Sequence, residues 1–141
     1  MGDLTRNLSR SEFACECGCG FDTVDIELAD VIQDSADHFA SKDECNIRIK
    51  ISGPNRCISH NEDVQRKYNP NYIAFSSTSQ HIHARAADYK LFNRYTGEQI
   101  DPDRVADYIN RKYHDRFGIG MYSNRTHIDT RTKGPARWDK R

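Results

Sequence analysis

The chain has 141 residues, 36% hydrophobic and 30% charged, with 21 basic side chains balanced by 21 acidic ones. That is one domain's worth of chain, 1–141, long enough to bury a core without covalent staples. Balanced charge gives no reason to expect nucleic acid or an anionic membrane as partner, and no apolar run approaches the roughly 20 residues that span a bilayer.

The first residues, MGDLTRNLSRSEFA, hold no apolar stretch of the kind that directs secretion, so synthesis in the cytoplasm without a signal peptide is expected. Residues 9–22, SRSEFACECGCGFD, form a Gly- and Cys-rich opening segment with turn chemistry. It holds Cys15, Cys17 and Cys19, and Cys45 and Cys57 bring the cysteines to five. Reduced thiols are the expectation for such a protein. Zinc pairs usually come as C-x-x-C, and CECGC lacks a second pair, so the cluster reads as structural or incidental. A Cys45–Cys57 bridge is compatible with the sequence but not established by it.

Residues 24–40 place Ile26, Leu28, Ala29, Ile32, Ala36 and Phe39 near 3.6-residue spacing and predict an amphipathic helix. Residues 46–53 alternate Ile47, Ile49 and Ile51 with Arg48 and Lys50, a half-buried strand ended by Gly53. A short polar helix is expected over 59–68, a loop over 69–80 and a second strand over 85–92. A turn at NRYTGEQ precedes Asp101 and Pro102, which have N-cap and first-turn chemistry for a helix over 103–114. FGIGMYS and THIDTR read as two strands joined by a polar turn. The mixture predicts an α+β fold, with helices packed on a small antiparallel sheet.

The stretch SQHIHARAADYK (79–90) gathers His81, His83 and Asp88, and His127 follows in THIDTR. Imidazole and carboxylate are ordinary zinc ligands, and a catalytic zinc keeps three protein ligands and an open position. On a strand, His81 and His83 would share a face. A single histidine is more commonly a solvated or hydrogen-bonded ring, the reading given to His38 and His114 on predicted helices. Residue type and spacing alone leave the metal and non-metal readings nearly balanced.

SQHIHARAAD resembles the S-x-H-x-x-G-x-A-x-D signature of peptidase family M15, the zinc D-Ala-D-Ala carboxypeptidases and phage endolysins. The match runs through Ser79, His81, Ala86 and Asp88, with Ala84 at the family's glycine. Upstream, ISGPNRCISHN is similar to the family's SGYRS…HN segment through Ser52, Gly53, Arg56, His60 and Asn61, with Pro54-Asn55 where a tyrosine is usual. Downstream, GIGMYSNRTHIDTRTKGPARW is similar to its GIGRY…HVDVR…RW ending through Gly118, Gly120, Tyr122, His127, Asp129, Arg131, Arg137 and Trp138. The opening segment resembles that of phage-type members as well, so the resemblance covers most of the chain in the right order.

The resemblance implies a zinc site on the sheet, with Zn2+ held by His81, Asp88 and His127 and with His83 at a variable position. The implied reaction is amide hydrolysis by metal-activated water. Many members carry Glu, Asp or His as general base three residues before the last histidine ligand; position 124 here is Asn, which cannot act as a base. Asp129 is the nearest substitute, on the same strand face as His127, or else it orients a ligand or pairs with Arg131 or Arg137. His60 and His83 are further bases that the fold could bring in. Arg56 is the expected grip on a substrate carbonyl or carboxylate, and Ser79 and Asn61 are expected substrate contacts. Ser79 alternatively caps the turn before His81, and Trp138 reads as closing a core edge.

The implied substrate is a peptidoglycan stem peptide, cut by a monomeric enzyme acting on the cell wall and encoded by a phage or prophage. A module of the same fold that keeps zinc, lacks the base and docks on the wall is the alternative, with Asn124 its support. A cupin-like iron or manganese site built from HIH and Asp88 ranks third, since the helical patterns at 24–40 and 101–114 do not fit a jelly roll.

Overall fold

The computed structural model describes residues 2–141. The first long helix, α1 (Ile26–Lys42), buries Leu28, Ala29, Ile32, Ala36 and Phe39 of the stripe that its sequence spacing predicts, while Ile26 at its first turn is exposed. Strand β1 (Ile47–Gly53) follows, then α2 (Ile58–Tyr68), which is polar and exposes most of its length. Strand β2 (Ala86–Asn93) leads to α3 (Pro102–Lys112), where the Asp101 side chain accepts a hydrogen bond from the Asp103 N–H at 2.9 Å. The chain ends in three short strands, β3 (Gly118–Met121), β4 (Thr126–Asp129) and β5 (Ala136–Asp139).

The strands form one sheet in the order β1-β2-β4-β3-β5. The fold is α+β as expected, but the sheet is mixed: the first four strands pair antiparallel, and β5 runs parallel to β3. The topology leaves little choice. Strand β4 has β2 on one side and β3 on the other, so of the two free edges, β1 and β3, the returning chain meets the nearer one at β3. Having reversed after β4, it arrives there parallel to β3. ARWD is too short and too polar to announce a strand by alternation. It is held by Arg137, whose guanidinium reaches the Asn110 Oδ1 and the carbonyls of Tyr113, Arg116 and Phe117 beyond the C-terminus of α3.

Period-two alternation gives the sheet two unlike faces. Ile47, Ile49, Ala87, Tyr89, Leu91, Ile119 and Ile128 are buried and belong to the core with Leu28, Ile32, Phe39, Val105 and Ile109 of α1 and α3. Within that core the Tyr89 and Ser35 hydroxyls share a 2.9 Å hydrogen bond. The opposite face carries Arg48, Asp88, His127 and Asp129. No helix among the described residues is long and apolar enough to cross a membrane.

Between the loop and β2, Gln80–His83 form a 3-10 turn, so the shared face that a strand would have given His81 and His83 does not arise: His81 is buried and His83 exposed. Ala84 closes the turn in the left-handed region at φ 58°. This is the position of the family's glycine, and the conformation accounts for the preference. A Cβ in that region costs about 1–2 kcal/mol, against the roughly 0.5–1 kcal/mol by which glycine's unfolded-state freedom penalises it. Ala84→Gly is therefore expected to stabilise the protein by up to about 1 kcal/mol, read as a raised denaturant midpoint at unchanged slope.

Candidate metal centre

Register builds the centre. One row of residues crosses all five strands: Gly53 on β1, Asp88 on β2, His127 on β4, Gly120 on β3 and Trp138 on β5. Glycine flanks the two functional side chains for a steric reason. A Cβ at Gly53 would run into the Asp88 carboxylate, and one at Gly120 into the Trp138 indole. The next row holds Ala86, Asp129 and Gly118, and a Cβ at Gly118 would strike the Asp129 carboxylate.

His81 joins Asp88 and His127 from the 3-10 turn. One donor atom from each lies within 4.8 Å of the other two. The His127 Nδ1 is 2.9 Å from Asp88 Oδ1, and the His81 Nε2 is 3.8 Å from Asp88 Oδ2. Ligands at about 2.0–2.2 Å from one zinc ion lie about 3–4 Å apart, so the donor set and its spacing fit that metal.

Each imidazole is aimed by a partner on its far side. The His81 Nδ1 donates to the Pro54 carbonyl at 2.9 Å; a carbonyl only accepts, so Nδ1 carries the proton and Nε2 keeps its lone pair. The His127 Nε2 donates to Asp129 Oδ2 at 2.8 Å, leaving Nδ1 turned toward Asp88. Burial disfavours a charged His81 and brings its pKa down to about 4 despite the nearby Asp88 carboxylate, so the ring is neutral at pH 7. Burial acts likewise on His127, but hydrogen bonds to Asp129 and Asp88 outweigh it and raise its pKa. Burial also opposes charge on Asp88, and the His127 hydrogen bond with the two imidazoles and Arg125 more than offsets it.

Asp129 is fully buried and both of its oxygens are taken. Oδ1 accepts from the Gly118 N–H at 3.2 Å, from the Arg131 backbone N–H and from the Arg131 Nε at 2.7 Å; Oδ2 accepts from His127 and from the Arg131 Nη2 at 2.8 Å. Although burial pushes the other way, Arg131 and His127 hold its carboxyl well below the usual carboxylate range. It bonds to His127 through Nε2, whereas Asp88 meets the same ring through Nδ1.

The three donor residues open onto a cleft of about 450 Å³ that also meets Arg56, Ser79, Tyr122, Arg125 and Trp138. Arg56 donates to the Ser79 Oγ at 3.0 Å, and its backbone N–H donates to the His81 carbonyl at 3.1 Å. Ser79 also accepts from the His81 N–H, capping the turn. A smaller adjoining cavity is lined by His60 and Glu16 together with His81, Asp88 and Arg56. Asn61 is buried, its Oδ1 has no hydrogen-bond partner, and it lines neither cavity. His83 lines a separate groove with Arg85 and Lys133. Asn124 is exposed, its side chain accepting from Arg125 and its carbonyl from Gln99.

No motif in the sequence marks Arg125, whose Nε is 3.9 Å from Asp88 Oδ2 and whose guanidinium lies over the Tyr122 ring. Trp138 differs from its expected place at a core edge. The indole instead lines the cleft, packs on the His127 ring at 4.9 Å between centroids and donates to the Tyr122 hydroxyl at 3.1 Å. Register with Gly120 was the available signal, and it needs β5 to be recognised as a strand.

Comparison with curated proteins and with solved structures gives no match. A family model described as Peptidase M15 matches residues 6–129, a span holding all three donor residues and the outer carboxylate Asp129. That family is one of metallopeptidases, zinc-dependent in general. The chain belongs to peptidase family M15.

Proposed function

We propose that this protein is a zinc-dependent peptidase that hydrolyses peptide bonds in peptidoglycan stem peptides, with His81, Asp88 and His127 as the zinc ligands. The observation that carries this reading is the orientation of the two imidazoles. Each has one nitrogen held by a buried acceptor, Pro54 O or Asp129 Oδ2, and the other turned toward Asp88. Outer partners of this kind fix the tautomer and raise the basicity of a ligating histidine. Zinc bound there supplies a Lewis acid for the scissile carbonyl and lowers the pKa of water.

The remaining work falls to the chain's own groups. Arg56 and Arg125 border the cleft and offer planar donors to a peptide carbonyl or a terminal carboxylate, a chemistry that suits an acidic stem peptide. Ser79 positions Arg56 and caps the turn of His81. Asp129 is a positioning residue for His127: a carboxylate already accepting five N–H bonds is a poor acceptor for the substrate proton. His60, on α2 beside His81 and Asp88, is the imidazole best placed to take that proton in place of Asn124. The alternative, a zinc-holding module that docks on the wall without cleaving it, draws its support from exposed Asn124, which offers no base.

Release of new amines from purified peptidoglycan, with bound zinc quantified in parallel, tests the reading. Wild-type protein is expected to release amines, and His127→Ala to lose both zinc and activity. His60→Gln is expected to keep zinc and lose about 100-fold or more in kcat. A zinc-loaded wild type that releases no amine would establish the docking module instead. Asp129→Asn is expected to weaken zinc binding by about 10–100-fold, measured by competition with a chelating dye, because the amide no longer holds the His127 ring as a charged acceptor.

A further inference from the structure

A second cluster of metal-ligating side chains lies beside this centre and is not used by it. Cys15, Cys17, Cys19 and Cys57 each place a sulfur within 4.8 Å of the other three. Cys17 Sγ is 3.4 Å from Cys15 Sγ and 3.6 Å from Cys57 Sγ. Four sulfurs around one tetrahedral zinc, at Zn–S bonds of about 2.3 Å, stand about 3.8 Å apart. A disulfide needs about 2.05 Å, and all five cysteines are free thiols. Cys45 stands apart from the cluster, so the bridge to Cys57 entertained from the sequence does not form.

The backbone is arranged around the sulfurs. Gly18 and Gly20 adopt φ of 81° and 87°, a left-handed conformation that lets CECGCG fold back on itself. The Gly18 N–H donates to the Cys15 carbonyl at 3.2 Å and the Cys15 N–H to the Phe21 carbonyl at 3.0 Å, which closes the loop. Two more backbone N–H groups point at sulfur: Cys57 N donates to Cys15 Sγ and His60 N to Cys57 Sγ, both at 3.4 Å. Donors of this kind stabilise thiolate, the form that binds metal. Cys15 is 3% exposed, and the Arg56 guanidinium lies close enough for its charge to interact with that sulfur.

The geometry points to a structural zinc site formed by Cys15, Cys17, Cys19 and Cys57, independent of the His81–Asp88–His127 centre. The missing fourth ligand of CECGC is thus supplied by the N-cap residue of α2. Such an ion would clamp the opening segment to the loop that carries Pro54 and Arg56, the residues that aim His81 and face the cleft. Asn55 N–H to Phe13 O at 3.1 Å, and Asn55 Nδ2 to Thr23 O at 2.6 Å, join the same two segments without metal.

The test is titration of the reduced, metal-free protein with Co2+ and with Zn2+, followed by stepwise addition of an organomercurial that attacks thiolates. Expected are two equivalents of metal per chain, cobalt–thiolate charge-transfer absorption in the near ultraviolet, and release of one equivalent by the mercurial. A His81→Ala/His127→Ala variant should keep the absorption and bind one equivalent, which separates this site from the peptidase centre. Cys19→Ser, at an exposed position, should lower affinity for that equivalent at least tenfold. Absence of cobalt–thiolate absorption in the wild type, or thiol modification that releases no metal, would overturn the proposal. So would a Cys17–Cys57 disulfide in protein purified under reducing conditions.

Discussion

The antiparallel pairing of β2 with β4 is the constraint on which the rest depends. It sets Asp88 opposite His127, so a carboxylate and an imidazole on separate strands meet at 2.9 Å on the one face that the helices leave open. A one-residue slip of either strand would send its functional side chain into the core and an apolar one to the cleft. The register is therefore held by the burial of Ala87, Tyr89 and Ile128 on the other face, which gives the site its precision at no separate cost.

Charge in this centre is layered. Arg131 neutralises Asp129, Asp129 holds His127, and His127 faces Asp88, so each buried charge has a partner of opposite sign. Desolvation disfavours every ionised member, and the hydrogen bonds restore what burial removes. His81 follows a different rule, since its far-side partner is a neutral carbonyl and its ring stays neutral. Two imidazoles with unlike outer partners thus converge on one carboxylate.

The 53–57 loop links this centre to the thiol cluster. Gly53 gives Asp88 room, Pro54 orients His81, Asn55 ties the loop to the opening segment, Arg56 faces the cleft and Cys57 caps α2. Five consecutive residues serve five different neighbours. The extra residue relative to the family's pattern falls within this loop, whose Pro54 carbonyl holds the proton on His81 Nδ1.

The sequence by itself determined the helices α1 to α3, the strands β1 to β4, the α+β class and the family, and it singled out His81, Asp88 and His127 as candidate ligands. Periodicity, capping chemistry and co-linear motifs are local properties, readable without knowing what lies across the sheet. It did not reveal β5, because three half-buried residues and an exposed one at an edge carry no alternation, and with β5 went the place of Trp138 against His127. It left the backbone at His81 and His83 open, because nothing in HIHA announces a 3-10 turn closed by Ala84 in a left-handed φ. That Gly118, His127 and Arg131 occupy the Asp129 oxygens depends on the sheet register and was not legible in THIDTR. The meeting of Cys57 with CECGC, and the nearness of His60 to the centre, likewise belong to tertiary structure: they join segments far apart in the chain, and only the packed fold brings such segments within bonding distance.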